Sequence, residues 1–361
     1  MKNILFLILC GGMVACGAPT ETPKKEEKQA VPVEPPATSY TTYVNPLMGT
    51  DSTFELSNGN TYPAIAVPWG MHFWTPQTGK MGDGWAYQYH AQKIRGFKQT
   101  HQPSPWINDY GAFALMPVVG NLKIKEDERA SWFSHKTETA QPHYYKVYLA
   151  DYDTTVEITP TNRAAQFRFT FPETDKAYLL LDAFFKGSKV QVLPQERKII
   201  GYARNNSGGV PENFHNYFVI TFDKDFESVQ TWGNGYKLSN KPESEGEHTG
   251  AVIGFRTKKG EQITAKVASS FISPAQALLN LQTELGNDTF EQTQQKALAL
   301  WEAELGKIQV EDENIDHLRT FYSCLYRTLL FPRTFYEYDK EGEIVHYSPY
   351  NGKVEKGYMF T

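Results

Sequence analysis

Cysteine is scarce in this chain: three residues in 361, with Cys10 and Cys16 near the N-terminus and Cys324 alone in the body. No disulfide framework and no cysteine-rich zinc site can be built from that set. An excess of charge of one sign is also missing. With 36 Lys+Arg against 41 Asp+Glu the formal net charge is −5, which leaves no basic footprint for nucleic acid. The apolar run Ile4-Leu5-Phe6-Leu7-Ile8-Leu9 is too short to span a bilayer as a stable helix. Aromatic residues, by contrast, make up 14% of the chain, which excludes a disordered or collagen-like polymer. The length allows roughly two domains of about 150 residues, enough to bury real cores.

Lys2 before the apolar run, and Gly11-Gly12-Met13-Val14-Ala15-Cys16 after it, read as an export signal over residues 1–15. Met13-Val14-Ala15-Cys16 resembles a bacterial lipobox, which would make Cys16 the lipidated first residue of the mature chain; the plainer alternative is a secretory signal cut nearby. Residues 16–39 hold Pro19, Pro23, Pro32, Pro35 and Pro36, the charge run Lys24-Lys25-Glu26-Glu27-Lys28 and no aromatic, so they cannot bury enough apolar surface to fold. A disordered tether to a membrane through a lipid anchor is expected. That places the protein in the bacterial cell envelope, as a lipoprotein of the periplasm or the outer-membrane surface.

From Tyr40 the composition turns aromatic and period two takes over: Tyr145, Val147, Leu149; Ala165, Phe167, Phe169, Phe171; Phe218, Ile220, Phe222; Ile263, Ala265, Val267. Turn chemistry such as Asn205-Asn206-Ser207-Gly208-Gly209 and Gly233-Asn234-Gly235 separates the runs. This predicts an antiparallel β-sandwich over residues 40–272. The period then changes to helical. Pro274 opens one helix, Asp288 with Glu291 forms a capping box for a second carrying Leu298, Trp301 and Leu305, and linker helices fill residues 273–306. A third amphipathic stretch puts Ile315, Leu318, Tyr322, Leu325 and Leu329 on one face behind Glu311-Asp312-Glu313, with Cys324 expected as a buried small apolar residue. Residues 307–361 lack a closing element, so they read as the beginning of a helical domain in a chain cut short.

The chemistry concentrates in residues 45–117. Gly82-Asp83-Gly84-Trp85 and Thr100-His101-Gln102-Pro103-Ser104-Pro105-Trp106-Ile107-Asn108-Asp109 combine Gly, Pro and Trp with Asn, Asp and His. Such a mixture suits a sugar cleft, because aromatic faces stack on the apolar side of a pyranose while polar groups bond its hydroxyls. Trp69, Trp74 and Trp106 read as packing residues. Trp85, His101, Asp109 and Asn60 are the candidates for sugar contact or loop positioning. For His101 the competing role is bonding loop backbone, and for Asp109 it is capping its own turn.

The chain is similar to the N-terminal part of glycoside hydrolase family 92, the bacterial calcium-dependent exo-α-mannosidases, from about residue 43 to the end. The resemblance rests on Asn45-Pro46 with Gly49-Thr50, Asn60-Thr61-Tyr62-Pro63 before Val67-Pro68-Trp69-Gly70-Met71, Gly96-Phe97 before Thr100-His101, and Asp109-Tyr110-Gly111 before Leu115-Met116-Pro117. It also rests on the segment from Phe321-Tyr322-Ser323 to Phe331-Pro332-Arg333. It implies a β-sandwich, linker helices and the start of an (α/α)6 toroid, with the active site between them. It further implies removal of terminal α-mannose from N-glycans or mannan by inversion, with a Glu general acid, an Asp general base and Ca2+ ligands expected beyond Thr361. On that view the fragment alone is inactive. Gln102-Pro103-Ser104-Pro105-Trp106-Ile107 departs from the family's Ser/Gly-rich loop and leaves α-1,2, α-1,3, α-1,4 and α-1,6 linkages open. The alternative function is a non-catalytic, surface-tethered glycan-binding lipoprotein.

Overall fold

The computed structural model describes residues 39–51, 61–81, 86–102 and 109–361. Among these, the period-two runs become strands in two large antiparallel sheets. One sheet has the order Phe73–Gln77, Gly96–Thr100, Ala114–Val119, Thr174–Asp182, Gly250–Thr257, Ser228–Gly233, Lys237–Ser239. The other runs Glu243–Gly246, Ser188–Leu193, Lys198–Ala203, Asn216–Phe222, Glu261–Ser270, Ala164–Phe171, Thr154–Pro160, Tyr144–Leu149, Thr139–Gln141. Their inner faces meet in one apolar core that joins Trp74, Phe97, Leu115 and Leu179 of the first to Tyr145, Phe167, Phe218 and Ile263 of the second. The sandwich is therefore open, and its edges have to be covered by other parts of the chain.

Helices cover one outer face and one edge of the sandwich. Pro274–Glu284, capped by the Ser273 hydroxyl accepting from the Gln276 N–H at 3.1 Å, lays Ala277 and Leu281 on Ala164, Val219 and Ala268. Val219 lies between the inward-facing Phe218 and Ile220, so strand alternation gives the sheet an apolar patch on its outer face. Phe290–Leu305 and Ile315–Thr328 bury Trp301, Leu305, Leu318, Tyr322 and Tyr326 against Tyr62, Ala64, Ala66, Phe73 and Tyr87 at the sandwich edge. Beyond them, Tyr336–Tyr338, Ile344–Tyr347 and Val354–Lys356 form a small antiparallel sheet. Glu337 anchors it: fully buried, it accepts from the Ser270 hydroxyl, the Phe271 N–H and the Asn280 amide at 2.7–3.0 Å, and burial raises its pKa.

Three local expectations are corrected. The capping box uses Thr289 and Gln292, one residue later than Asp288 and Glu291; Asp288 instead pairs with Lys296. Cys324 is exposed. The helix buries Leu318, Tyr322, Ser323 and Tyr326, and two residues after Tyr322 is roughly 200° around the axis, on the solvent side. Ile315, in the first turn, is 44% exposed, so the buried face begins at Leu318.

The Trp301 indole N–H donates to the Ala66 carbonyl at 2.7 Å from a fully buried ring. Trp301→Phe keeps most of the packing and leaves that carbonyl without its donor. It should lower the unfolding free energy by about 1–3 kcal/mol, and Trp301→Ala by about 3–5 kcal/mol, both measured by urea denaturation.

Candidate functional site

Strand register defines the two ends of the sandwich. Ala114 pairs with Asp182 and Asn216 with Ala203, which gathers residues 101–102, 109–113 and 204–215 at one end; Thr174, Thr257 and Glu261 lie at the other. At the first end the family-like residues Asp109-Tyr110-Gly111 dock onto the neighbouring loop. The Asn205 side-chain amide pairs with both backbone groups of Ala112 at 2.8 Å, and the Asn216 amide donates to the Gly111 carbonyl at 2.6 Å. Gly111 has φ +59°, and a Cβ there would sit 2.6 Å from the Asn216 Cβ, so only glycine fits.

Asp109 closes the connection at both ends. One carboxylate oxygen accepts the His101 and Tyr110 N–H groups, each at 2.9 Å, while the other pairs with Lys98 at 3.0 Å. Burial pushes this carboxyl up, but the Lys98 ammonium and the donated N–H bonds outweigh it and hold its pKa below the ordinary value. His101 is fully buried, and burial lowers its pKa to about 3. Its imidazole is neutral, so the 3.8 Å approach to Asp109 is no ion pair. Instead Nδ1 bonds the Tyr110 carbonyl at 2.6 Å, and the ring stacks on Tyr110 with centroids 4.9 Å apart.

Asp109 and Tyr110, with Gln102, line a cavity of about 420 Å3 shared with residues 206–208, Val210 and Phe214 and with Phe331, Arg333, Phe335, Pro349 and Thr361. That is the size of a small-ligand pocket. Of the residues singled out from sequence, His101 and Asp109 are thus brought together, and Asp109 alone of the two reaches the cavity wall. Asn60, Trp85, Trp106 and Cys16 lie outside the described residues. Trp74 is a core residue, while Trp69 is half-buried with φ +51°. Sequence reasoning missed Lys98, Tyr110 and Arg333 as individual site residues. Tyr110 and Arg333 lay inside quoted motifs, but their pairing across 223 positions is visible only in three dimensions. A larger depression of about 940 Å3 lies at the opposite end of the sandwich, rimmed by Lys224, Arg256, Lys258, Glu173, Glu227 and Glu261, a solvated mixed-charge surface.

The sequence profile of the glycosyl hydrolase family 92 N-terminal domain matches residues 43–270, and that of the family's catalytic domain matches residues 276–361. The chain belongs to glycoside hydrolase family 92. Among solved structures it is 47% identical, with a TM-score of 0.87, to a family 92 inverting mannosidase from Bacteroides thetaiotaomicron, over 90% of this chain and 44% of that one. A second family 92 α-mannosidase from the same organism, solved with mannoimidazole, is 31% identical with a TM-score of 0.77 over 90% of this chain and 44% of that one. No curated protein matches. The chain therefore spans under half the length of these family 92 structures. Among the described residues no three His, Cys, Asp or Glu side chains gather as a metal site; the calcium that the family resemblance implies was expected to find its ligands beyond Thr361.

Two outcomes follow. The folded-state pKa of His101 lies below its unfolded value, so its contribution to stability is full above about pH 6.5 and is lost as the pH falls toward about 3. Unfolding free energy should fall through that window with a slope of up to about 1.4 kcal/mol per pH unit for this group. The His101 ring resonances should stay flat between pH 8 and 5 in NMR; a midpoint near 6.5 contradicts a sealed neutral ring. Gly111→Ala should destabilise by more than about 1–2 kcal/mol from the left-handed backbone alone, read by denaturant midpoint.

Proposed function

We propose that this protein is an α-mannosidase that removes terminal mannose from N-glycans or mannan with inversion, assisted by Ca2+. The observation that carries this reading is the 47% identity of the chain, across nine-tenths of its length, to an inverting mannosidase. The cavity at Asp109, Tyr110 and Gln102 supplies a place for the sugar beside residues 331–335.

Within this proposal the described residues bind and position. His101 is sealed and neutral, Asp109 is held by three contacts, and Glu337 is enclosed by its donors, so none is free to move a proton. The catalytic carboxyl pair of an inverting enzyme stands about 6.5–9.5 Å apart and is assigned to other residues of the whole protein, together with the calcium ligands. Lipidation of Cys16, with residues 16–39 as tether, completes the proposal by holding the enzyme at the cell envelope near its glycans.

The test is mannose release from yeast mannan and N-glycan mannosides by the protein as its source expresses it, with and without EDTA, following the anomer by NMR. EDTA-sensitive release of β-mannose is the expected result; no release from any α-mannoside overturns the assignment. Trp85→Ala should weaken mannoside binding about 3–10-fold, the worth of one stacking contact, with the far-ultraviolet spectrum unchanged.

A further inference from the structure

A second cavity, of about 390 Å3, lies at the sandwich edge between residues 67–69, the turn after the strand Thr154–Pro160, and the helix Phe290–Leu305. It shares no lining residue with the cavity at Asp109 and Tyr110, and its whole lining falls between Val67 and Glu304. The floor is apolar, with Pro68, Trp69, Pro160 and Leu300. Trp74, Trp232 and Trp301 are sealed in cores, whereas Trp69 is half-buried. Its φ of +51° is a left-handed conformation that a bulky residue rarely adopts, and bonds to the Leu329 carbonyl and from the Thr334 N–H hold it there. Strain of this kind persists where the surroundings over-determine it, and it gathers at ligand sites. Leu300 is 51% exposed although the adjacent Trp301 is fully buried, so its side chain serves the cavity and not the core.

The polar part of the lining is pre-set. The Asn162 side-chain oxygen accepts the Met71 N–H at 3.3 Å and the Asn162 carbonyl accepts it at 2.9 Å, which anchors the carboxamide by its oxygen. Every charge in the lining is matched within the protein: Glu284 by Arg163 at 3.0 Å, Glu304 by Lys307 at 2.6 Å, and Lys296 by Asp288. The Lys307 ammonium also stands 6.0 Å from the Trp69 ring centroid. An ionic ligand would lose water here and meet no counter-charge, so the lining selects a neutral one. An aromatic ring on an apolar floor with an amide beside it answers the two sides of a pyranose, whose C–H face stacks while its hydroxyls bond. The volume is that of a small-ligand pocket.

We infer that this cavity is a second, non-catalytic sugar site, holding a neutral mannosyl residue of a polymeric glycan on Trp69 with Asn162 bonding its hydroxyls. The choice of mannose rests on the mannoside reading above, while the neutral pyranose rests on the lining itself. Its polar groups are an amide and paired ions, so the site binds and does not hydrolyse. Two sugar sites on one chain raise the effective concentration of a polymer that reaches both.

The protein as its source expresses it is run in EDTA through native gels cast with yeast mannan, with dextran, or with neither. EDTA withdraws the calcium assigned to the catalytic site, and the second cavity has no use for it. Expected is retardation by mannan and none by dextran. Leu300→Glu, which puts a charge into the apolar floor, should weaken the apparent Kd at least about fivefold. Trp69→Ala should weaken it about 3–10-fold, the worth of one stacking contact, and Trp69→Phe should retain part of the binding. A cooperative thermal transition checks the folding of each variant; if Trp69→Ala does not fold, Leu300→Glu, at a half-exposed helix position, decides. Retardation of Leu300→Glu equal to that of the wild type overturns the inference. So does a wild type that mannan does not retard, or that dextran retards as strongly, and each of these leaves the mannose-release result standing. Retardation by mannan of a protein that releases mannose from no α-mannoside supports the second site and overturns the activity alone.

Discussion

The backbone from Tyr62 to Met71 is largely buried and has almost no regular structure, and the arrangement around the cleft depends on how its polar groups are satisfied. A buried N–H or C=O without a partner costs about 1–3 kcal/mol, so these groups dictate what packs over them. The carbonyls of Tyr62, Ala64 and Ala66 accept from Arg327, Tyr326 and Trp301 at 2.7, 2.6 and 2.7 Å. Trp69 donates its N–H to the Leu329 carbonyl at 2.8 Å and accepts from the Thr334 N–H at 2.9 Å. Ile65 exchanges bonds with Trp74 at 2.8 and 2.9 Å, and the Met71 N–H reaches the Asn162 carbonyl at 2.9 Å. Helices and sandwich edge are joined through this segment, and separating them would orphan its groups together.

That constraint is transmitted to the cleft. Phe73–Gln77 begins where the irregular segment ends and pairs with Gly96–Thr100, which carries Lys98 and delivers the chain to His101. Arg333 is tied to the same segment through the Met71 carbonyl and to Tyr110 through its phenol. The positive φ of Trp69, costing about 1–3 kcal/mol, is held by bonds from both sides. One wall of the cleft is therefore fixed from the helical side and the other by Asp109.

The sandwich was legible because alternation is a local property. Phe167, Phe169 and Phe171 announce an inward face whichever partner they meet, and Phe218 and Ile220 do the same. Helix starts were legible to within a residue, since Asp288, Thr289, Glu291 and Gln292 all have capping chemistry and only the packing of Phe290 decides among them. Cys324 was misread because small size says nothing about which side of a helix a residue occupies. In the site, Asp109 was visible as a turn-type acid in a motif, but its partner Lys98 was not, because a lysine in a strand ordinarily points to water. His101 drew notice for its chemistry; the structure shows its desolvated ring stacked on Tyr110, where it acts as a spacer and donates from Nδ1 to the Tyr110 carbonyl. Arg333 and Tyr110 could be paired only by the fold, as their contact spans the whole sandwich in sequence.

The electrostatics of the wall separate recognition from catalysis. A group that passes protons needs a pKa near working pH and access to the reacting atom. The His101 ring satisfies neither condition, with its pKa driven to about 3 and its surface sealed. The Asp109 carboxylate fails the first condition, since losing its charge would also break its hold on two backbone N–H groups and Lys98. Their contacts make that wall rigid, and charges already matched within the protein need no reorganisation when water leaves it.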